Sequence, residues 1–106
     1  MKKYKKIYIM PEYYSSGIWD GNTKIMIDFE ELPLITKELH EEFNQWIDYY
    51  NGYSPWIEEE KNKFDLKKLN EIGIKLAKQV KKIYPNIIVE YRGEGPTYKI
   101  SNTIIS

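Results

Sequence analysis

Two stretches with helical spacing lie between stretches of strict alternation, and this change of period is the strongest constraint on the fold. In the first helical stretch the apolar residues are Leu39, Phe43, Trp46, Ile47 and Tyr50; in the second they are Leu69, Ile72, Leu76, Val80 and Ile83. Both follow the three-or-four-residue rhythm that lines one side of a helix. Before them, residues 5–10 alternate, with Ile7 and Ile9 opposed to Lys6, Tyr8 and Met10. Residues 23–29 do the same, with Ile25, Ile27 and Phe29 opposed to Lys24, Met26 and Asp28. After them, residues 87–92 alternate, the segment Gly93-Glu94-Gly95-Pro96 turns, and Tyr98 and Ile100 continue on a return strand. Alternation gives each strand one apolar face, and a helix stripe must be buried against such a face. The pattern predicts an α+β fold in two layers: a four-stranded, mainly antiparallel sheet in the order ββααββ, covered on one face by two helices. Nothing in residues 1–106 repeats or reads as a linker, so a single domain is expected.

Punctuation supports these boundaries. Asp20-Gly21 is a strong turn signal between the first two strands. Thr36 is a good N-cap, Glu38 sits in the first turn where the helix dipole favours an acid, and Asn51-Gly52 stops the helix. Asp65 caps the second helix, Phe64 and Leu69 flank that cap as a hydrophobic staple, and Pro85 ends the helix. Gly73 falls on the buried side of this helix, where it costs about 1 kcal/mol relative to Ala. Close approach by a large neighbour such as Trp46 would offset that cost.

The charge is balanced overall and strongly segregated along the chain. Residues 1–27 carry five lysines against Glu12 and Asp20, and residues 61–106 carry nine lysines and Arg92 against four acids. Residues 28–60 carry ten acids and one base, Lys37. A strongly acidic third either pairs with the chain's own lysines after folding or remains free to attract a basic partner.

Little in the chain points to catalysis. It contains no Cys, so thiol chemistry, disulfides and cysteine zinc sites are excluded, and one His, His40, cannot build a histidine metal cluster. His40 lies between core positions and reads as structural. Asp20-Gly21-Asn22 lacks the remaining ligands of a calcium loop, and Gly93-Glu94-Gly95 precedes a strand, so neither is a cation or phosphate site. Glu41 and Glu42 are adjacent and point about 100° apart on a helix, so they form no dyad. No cofactor or metal is expected. No apolar run approaches the ~20 residues of a membrane span, no signal peptide is recognisable, and the cytosol is the default compartment.

Two binding surfaces suggest themselves. The first combines the acids of the middle third, Glu41, Glu42, Asp48, Glu58, Glu59 and Glu60, with Tyr53 and Trp56 in the segment between the helices. Aromatic anchors ringed by charge are the usual makeup of a protein-binding hot spot. The second is the open sheet face, where Tyr8 and basic residues Lys2, Lys3, Lys5, Lys6, Arg92 and Lys99 would suit a single-stranded nucleic acid. The neutral net charge argues against the second. The favoured reading of the strand tyrosines, Tyr8, Tyr13, Tyr14, Tyr91 and Tyr98, is that they fill the core or seal its edge.

The segments Ser15-Ser16-Gly17-Ile18-Trp19-Asp20, Leu32-Pro33-Leu34-Ile35-Thr36 with Leu39, Trp46 and Tyr50, then Phe64 and Gly73-Ile74-Lys75-Leu76-Ala77, form a recognisable series. This series resembles small bacterial immunity proteins of polymorphic-toxin and contact-dependent growth inhibition systems. The resemblance spans roughly residues 8–91 and consists of core and turn positions, so it carries over no binding residue. It implies a protein that neutralises a cognate toxin by binding it. Many such toxins are nucleases, whose grooves must be basic to hold phosphates, and an acidic surface can compete for such a groove.

Overall fold

The computed structural model describes residues 4–52, 66–93 and 103–105. Among the described residues four strands and two long helices follow one another: β1 (Lys6–Ile9), β2 (Ile18–Asp20), a 3-10 turn (Phe29–Glu31), α1 (Lys37–Asn51), α2 (Leu66–Ile83), β3 (Ile88–Tyr91) and β4 (Thr103–Ile105). The strands form one sheet in the order β2-β1-β3-β4. β1 pairs antiparallel with β2 and parallel with β3, and β3 pairs antiparallel with β4.

Register decides which side chains form the core. Ile9 lies opposite Ile18 and Tyr91, Ile7 opposite Val89, and Val89 opposite Ile105. Paired residues share a face, so these six make one apolar row, and none is more than 4% exposed. α2 lies on that face against β1, β3 and β4, with α1 packed beside it. Leu69, Leu76, Ala77 and Val80 of α2 are buried, as are Leu39, Phe43, Trp46, Ile47 and Tyr50 of α1.

Trp46 joins the layers. Its ring stands edge-on to Phe43 at 6.1 Å and tilted to Tyr91 at 6.3 Å, and its Nε1 donates to the Leu69 carbonyl at 2.8 Å. Gly73 makes this possible. A Cβ there would lie 2.7 Å from Trp46 Cζ2 and closer still to the Tyr91 ring. The neighbour anticipated for Gly73 is therefore present, with Tyr91 as a second. Tyr91 Oη donates to Asn70 Oδ1 at 2.7 Å, which satisfies two buried polar groups together.

Several expectations are corrected. The sheet is mixed, because its central pairing, β1 with β3, is parallel. Those strands are separated by both helices, so a crossover connection is available to them, as parallel pairing requires. The second strand is Ile18–Asp20, and the alternating residues 23–29 contribute only the single bridge Trp19–Met26 before the 3-10 turn. There Asp28 and Glu31 close a capping box, which ends extended pairing. Asp20-Gly21 turns the chain after β2, with the Asp20 carboxylate accepting from the Asn22 amide at 2.8 Å. The last described strand is Thr103–Ile105; residues 98–100, the turn at Gly95-Pro96 and the Phe64 and Asp65 cap lie outside the described residues. The sheet face turned away from the helices is not open at Tyr8 and Glu90, each of which is 5% exposed.

Candidate functional site

α1 is built as a two-sided helix. Thr36 caps it, its Oγ1 accepting from the Leu39 amide at 3.1 Å, and the five apolar residues of its stripe turn inward. The polar residues that remain must face solvent, and Glu38, Glu41, Glu42 and Asp48 are all exposed. Glu41 and Asp48 are seven residues apart and so lie along one crest; Glu38 and Glu42, four apart, form a second row beside it. α2 carries the opposite charge, with Lys67, Lys68, Lys75, Lys78 and Lys82 exposed. Among the described residues the ion pairs are Lys6–Glu90 at 3.3 Å and Arg92–Glu90 at 3.7 Å. None of the four α1 acids takes part in one. An acidic helix and a basic helix thus lie side by side without neutralising each other.

Two features flank the acidic helix. Between α1 and α2 runs a groove of about 410 Å³, with Trp46, Ile72 and Leu76 in its lining and Glu42, Tyr49 and Lys68 beside them. The Lys68 ammonium lies 5.7 Å from the Tyr49 ring centroid. On the other flank the 3-10 turn packs against α1, Phe29 stacking on His40 at 3.9 Å and meeting Phe43 edge-on at 5.6 Å. This turn adds exposed Asp28 and Glu30 to the acidic surface. Glu31 is engaged internally: Oε2 accepts from the Asp28 amide at 3.1 Å and Oε1 from the Tyr4 hydroxyl at 2.8 Å. Burial, and then the bond to Glu31, push the Tyr4 pKa up to about 12.

Of the residues singled out from the sequence, Glu41, Glu42 and Asp48 are brought together on exposed α1. Tyr53, Trp56, Glu58, Glu59 and Glu60 lie outside the described residues. Tyr14 was read as core or edge filling and is instead 86% exposed. Its neighbour Tyr13 does pack, its ring 4.7 Å from that of Tyr50. A Tyr-Tyr pair next to turn residues is the only sequence signal that one of the two must point outward.

On the open sheet face Lys6, Tyr8, Glu90 and Arg92 form a polar cluster, with Ile88 and Ile104 exposed beside it. The Arg92 guanidinium lies 3.5 Å from the centroid of the Tyr8 ring, and Lys6 and Arg92 converge on buried Glu90. Tyr8 Oη donates to the Gly21 carbonyl at 3.0 Å. The ring that would stack a base is thus covered by Arg92, and two of the cations face a carboxylate. Lys2, Lys3 and Lys99 lie outside the described residues. Among the described residues no three His, Asp or Glu side chains gather as metal ligands, and no helix is long and apolar enough to cross a membrane.

The outer face of α1 thus carries exposed charge of a single sign, a field that extends into solvent. The family model described as Serratia CdiI immunity protein-like matches residues 5–94, and the chain belongs to that family. It is an immunity protein of a contact-dependent growth inhibition system, and its general task is the neutralisation of a toxin. No curated protein and no solved structure matches the chain.

Proposed function

We propose that this immunity protein is a stoichiometric, non-catalytic inhibitor that meets its cognate toxin with the acidic face of α1. The toxin is a basic protein, and a nuclease fits that description because its groove must hold phosphates. The observation that carries this reading is the exposed, unpaired state of Glu38, Glu41, Glu42 and Asp48 beside a helix rich in lysine. The arrangement has a cost within the free protein. Like charges at three- and four-residue spacing repel, and Asp48 stands in a last turn that contains no basic residue, where the helix dipole disfavours an acid. A face that weakens its own helix is better explained by an external partner than by solvation alone. Tyr53, Trp56, Glu58, Glu59 and Glu60 extend this surface in the proposal, the two aromatics as anchors.

The test is the association rate with the toxin domain encoded beside the immunity gene. Reversal of Glu41, Glu42 and Asp48 together to lysine slows association about tenfold or more at low ionic strength, and the difference shrinks as salt is added. Unchanged association at low salt would remove α1 from the interface. The nucleic-acid reading of the sheet face has no support in the geometry, since Tyr8 is covered by Arg92.

A further inference from the structure

We infer that Tyr14 is an aromatic anchor of the toxin-binding surface, held in its outward position by Asn51 at the end of α1. The inference rests on the proposal that the acidic face of α1 meets the toxin. Tyr14 is 86% exposed, so it contributes almost nothing to the core. Its φ of 55° lies in the left-handed region, which Gly and Asn occupy easily and bulky residues avoid. A turn needing only that backbone shape has no use for a tyrosine. Such a residue persists where the surroundings over-determine it, and it is a pointer to function.

The surroundings do over-determine it. The Tyr14 amide donates to Asn51 Oδ1 at 3.0 Å, and the Ser15 hydroxyl donates to the Glu12 carbonyl at 2.9 Å. On one side Tyr13 packs on Tyr50. On the other side Gly17, at φ 83°, approaches so near that a Cβ would lie 3.0 Å from the Trp46 ring. Both ends of the turn are therefore fastened to α1, and between half-buried neighbours the exposed side chain is that of Tyr14. Asn51 follows Asp48 by three residues and shares its side of the helix. The Tyr14 backbone is consequently tied to the end of the helix that carries the acidic crest of Glu41 and Asp48. An exposed aromatic on a turn fastened to the acidic helix suits a toxin surface bearing arginine or lysine: the ring face takes one cation and the acids take others. Because the backbone is already held, little freedom is lost on binding.

Binding of the toxin domain is measured for Tyr14→Asn, Tyr14→Phe and Asn51→Ala, alongside the triple acid reversal. Asn suits the left-handed backbone, so Tyr14→Asn preserves the fold, which its melting curve checks. Loss of the ring raises the dissociation rate about tenfold while leaving the salt dependence of association as it was. Tyr14→Phe retains the wild-type affinity, and Asn51→Ala, which releases the Tyr14 backbone amide without removing the ring, causes a smaller rise. An unchanged dissociation rate in Tyr14→Asn overturns the anchor. When the acid reversal alone slows association, the anchor falls and the acidic reading stands. When Tyr14→Asn alone has an effect, the anchor stands and the acidic reading falls.

Discussion

Single residues in this molecule are constrained mainly by contact with aromatic rings. Gly73 gives up about 1 kcal/mol of helix propensity so that Trp46 and Tyr91 can meet over α2. Gly73→Ala would force both rings away, an overpacking cost of about 1–3 kcal/mol set against a propensity gain of about 1 kcal/mol; with a Cβ in such close contact with two rings, the cost prevails. A lowered melting temperature with unchanged helical circular dichroism below the transition is the expected result. Tyr4 offers a test of a different kind. Its pKa is pushed up to about 12 by burial and by the hydrogen bond to Glu31. The unfolded chain ionises this tyrosine near pH 10, before the folded chain does. Its contribution is therefore fully present below about pH 10 and is lost as pH rises through the folded value of about 12. Tyr4→Phe loses the Glu31 bond at neutral pH, yet its stability declines less steeply above pH 10, as denaturant melts across the alkaline range will show.

Among the elements, α1 carries the sharpest conflict between stability and the proposed function. Its cap is sound, and Thr36→Ala is expected to cost about 1 kcal/mol in a denaturant melt, since the Leu39 amide loses its acceptor. Its outer face is poorly designed for a free helix. Asp48→Lys places a cation where the C-terminal dipole favours one, so the free protein gains about 0.3–1 kcal/mol. The same change slows association with the toxin in the proposed mode of binding. A variant that is both more stable and a weaker inhibitor separates the two roles; a variant that is more stable and equally potent takes Asp48 out of the interface. The elements also show what could be read beforehand. Both helices are evident in the spacing of Leu39 to Tyr50 and Leu69 to Ile83, because an apolar stripe is a local property of the chain. β2 is not: three residues are too short to display alternation, and the longer alternating run at residues 23–29 is a better pattern with almost no strand in it.

For the whole molecule, the helix layer sets unlike charges next to each other and leaves both exposed. Opposite charge on neighbouring helices would be expected to collapse into surface ion pairs, but among the described residues none of the α1 acids forms one, and such pairs are worth little. The resulting field extends into solvent and falls off over a Debye length of about 8–10 Å. Association with a basic toxin should accordingly fall steeply with added salt, whereas the melting temperature of the free protein should change little. Measuring both across one salt series checks the two statements together.

Sequence alone determined the α+β class, the two helices with their buried stripes, the first strand, the close approach at Gly73 and the concentration of acid on α1. Each follows from spacing within one segment. The tertiary structure alone decided that β1 and β3 lie parallel at the centre of the sheet, that Glu90 and Tyr8 are buried under Arg92, and that Tyr14 points outward. It also decided that the α1 acids stay unpaired. The reason is physical: those outcomes depend on residues far apart in the chain, whose meeting is governed by how the layers stack, and no local period records it.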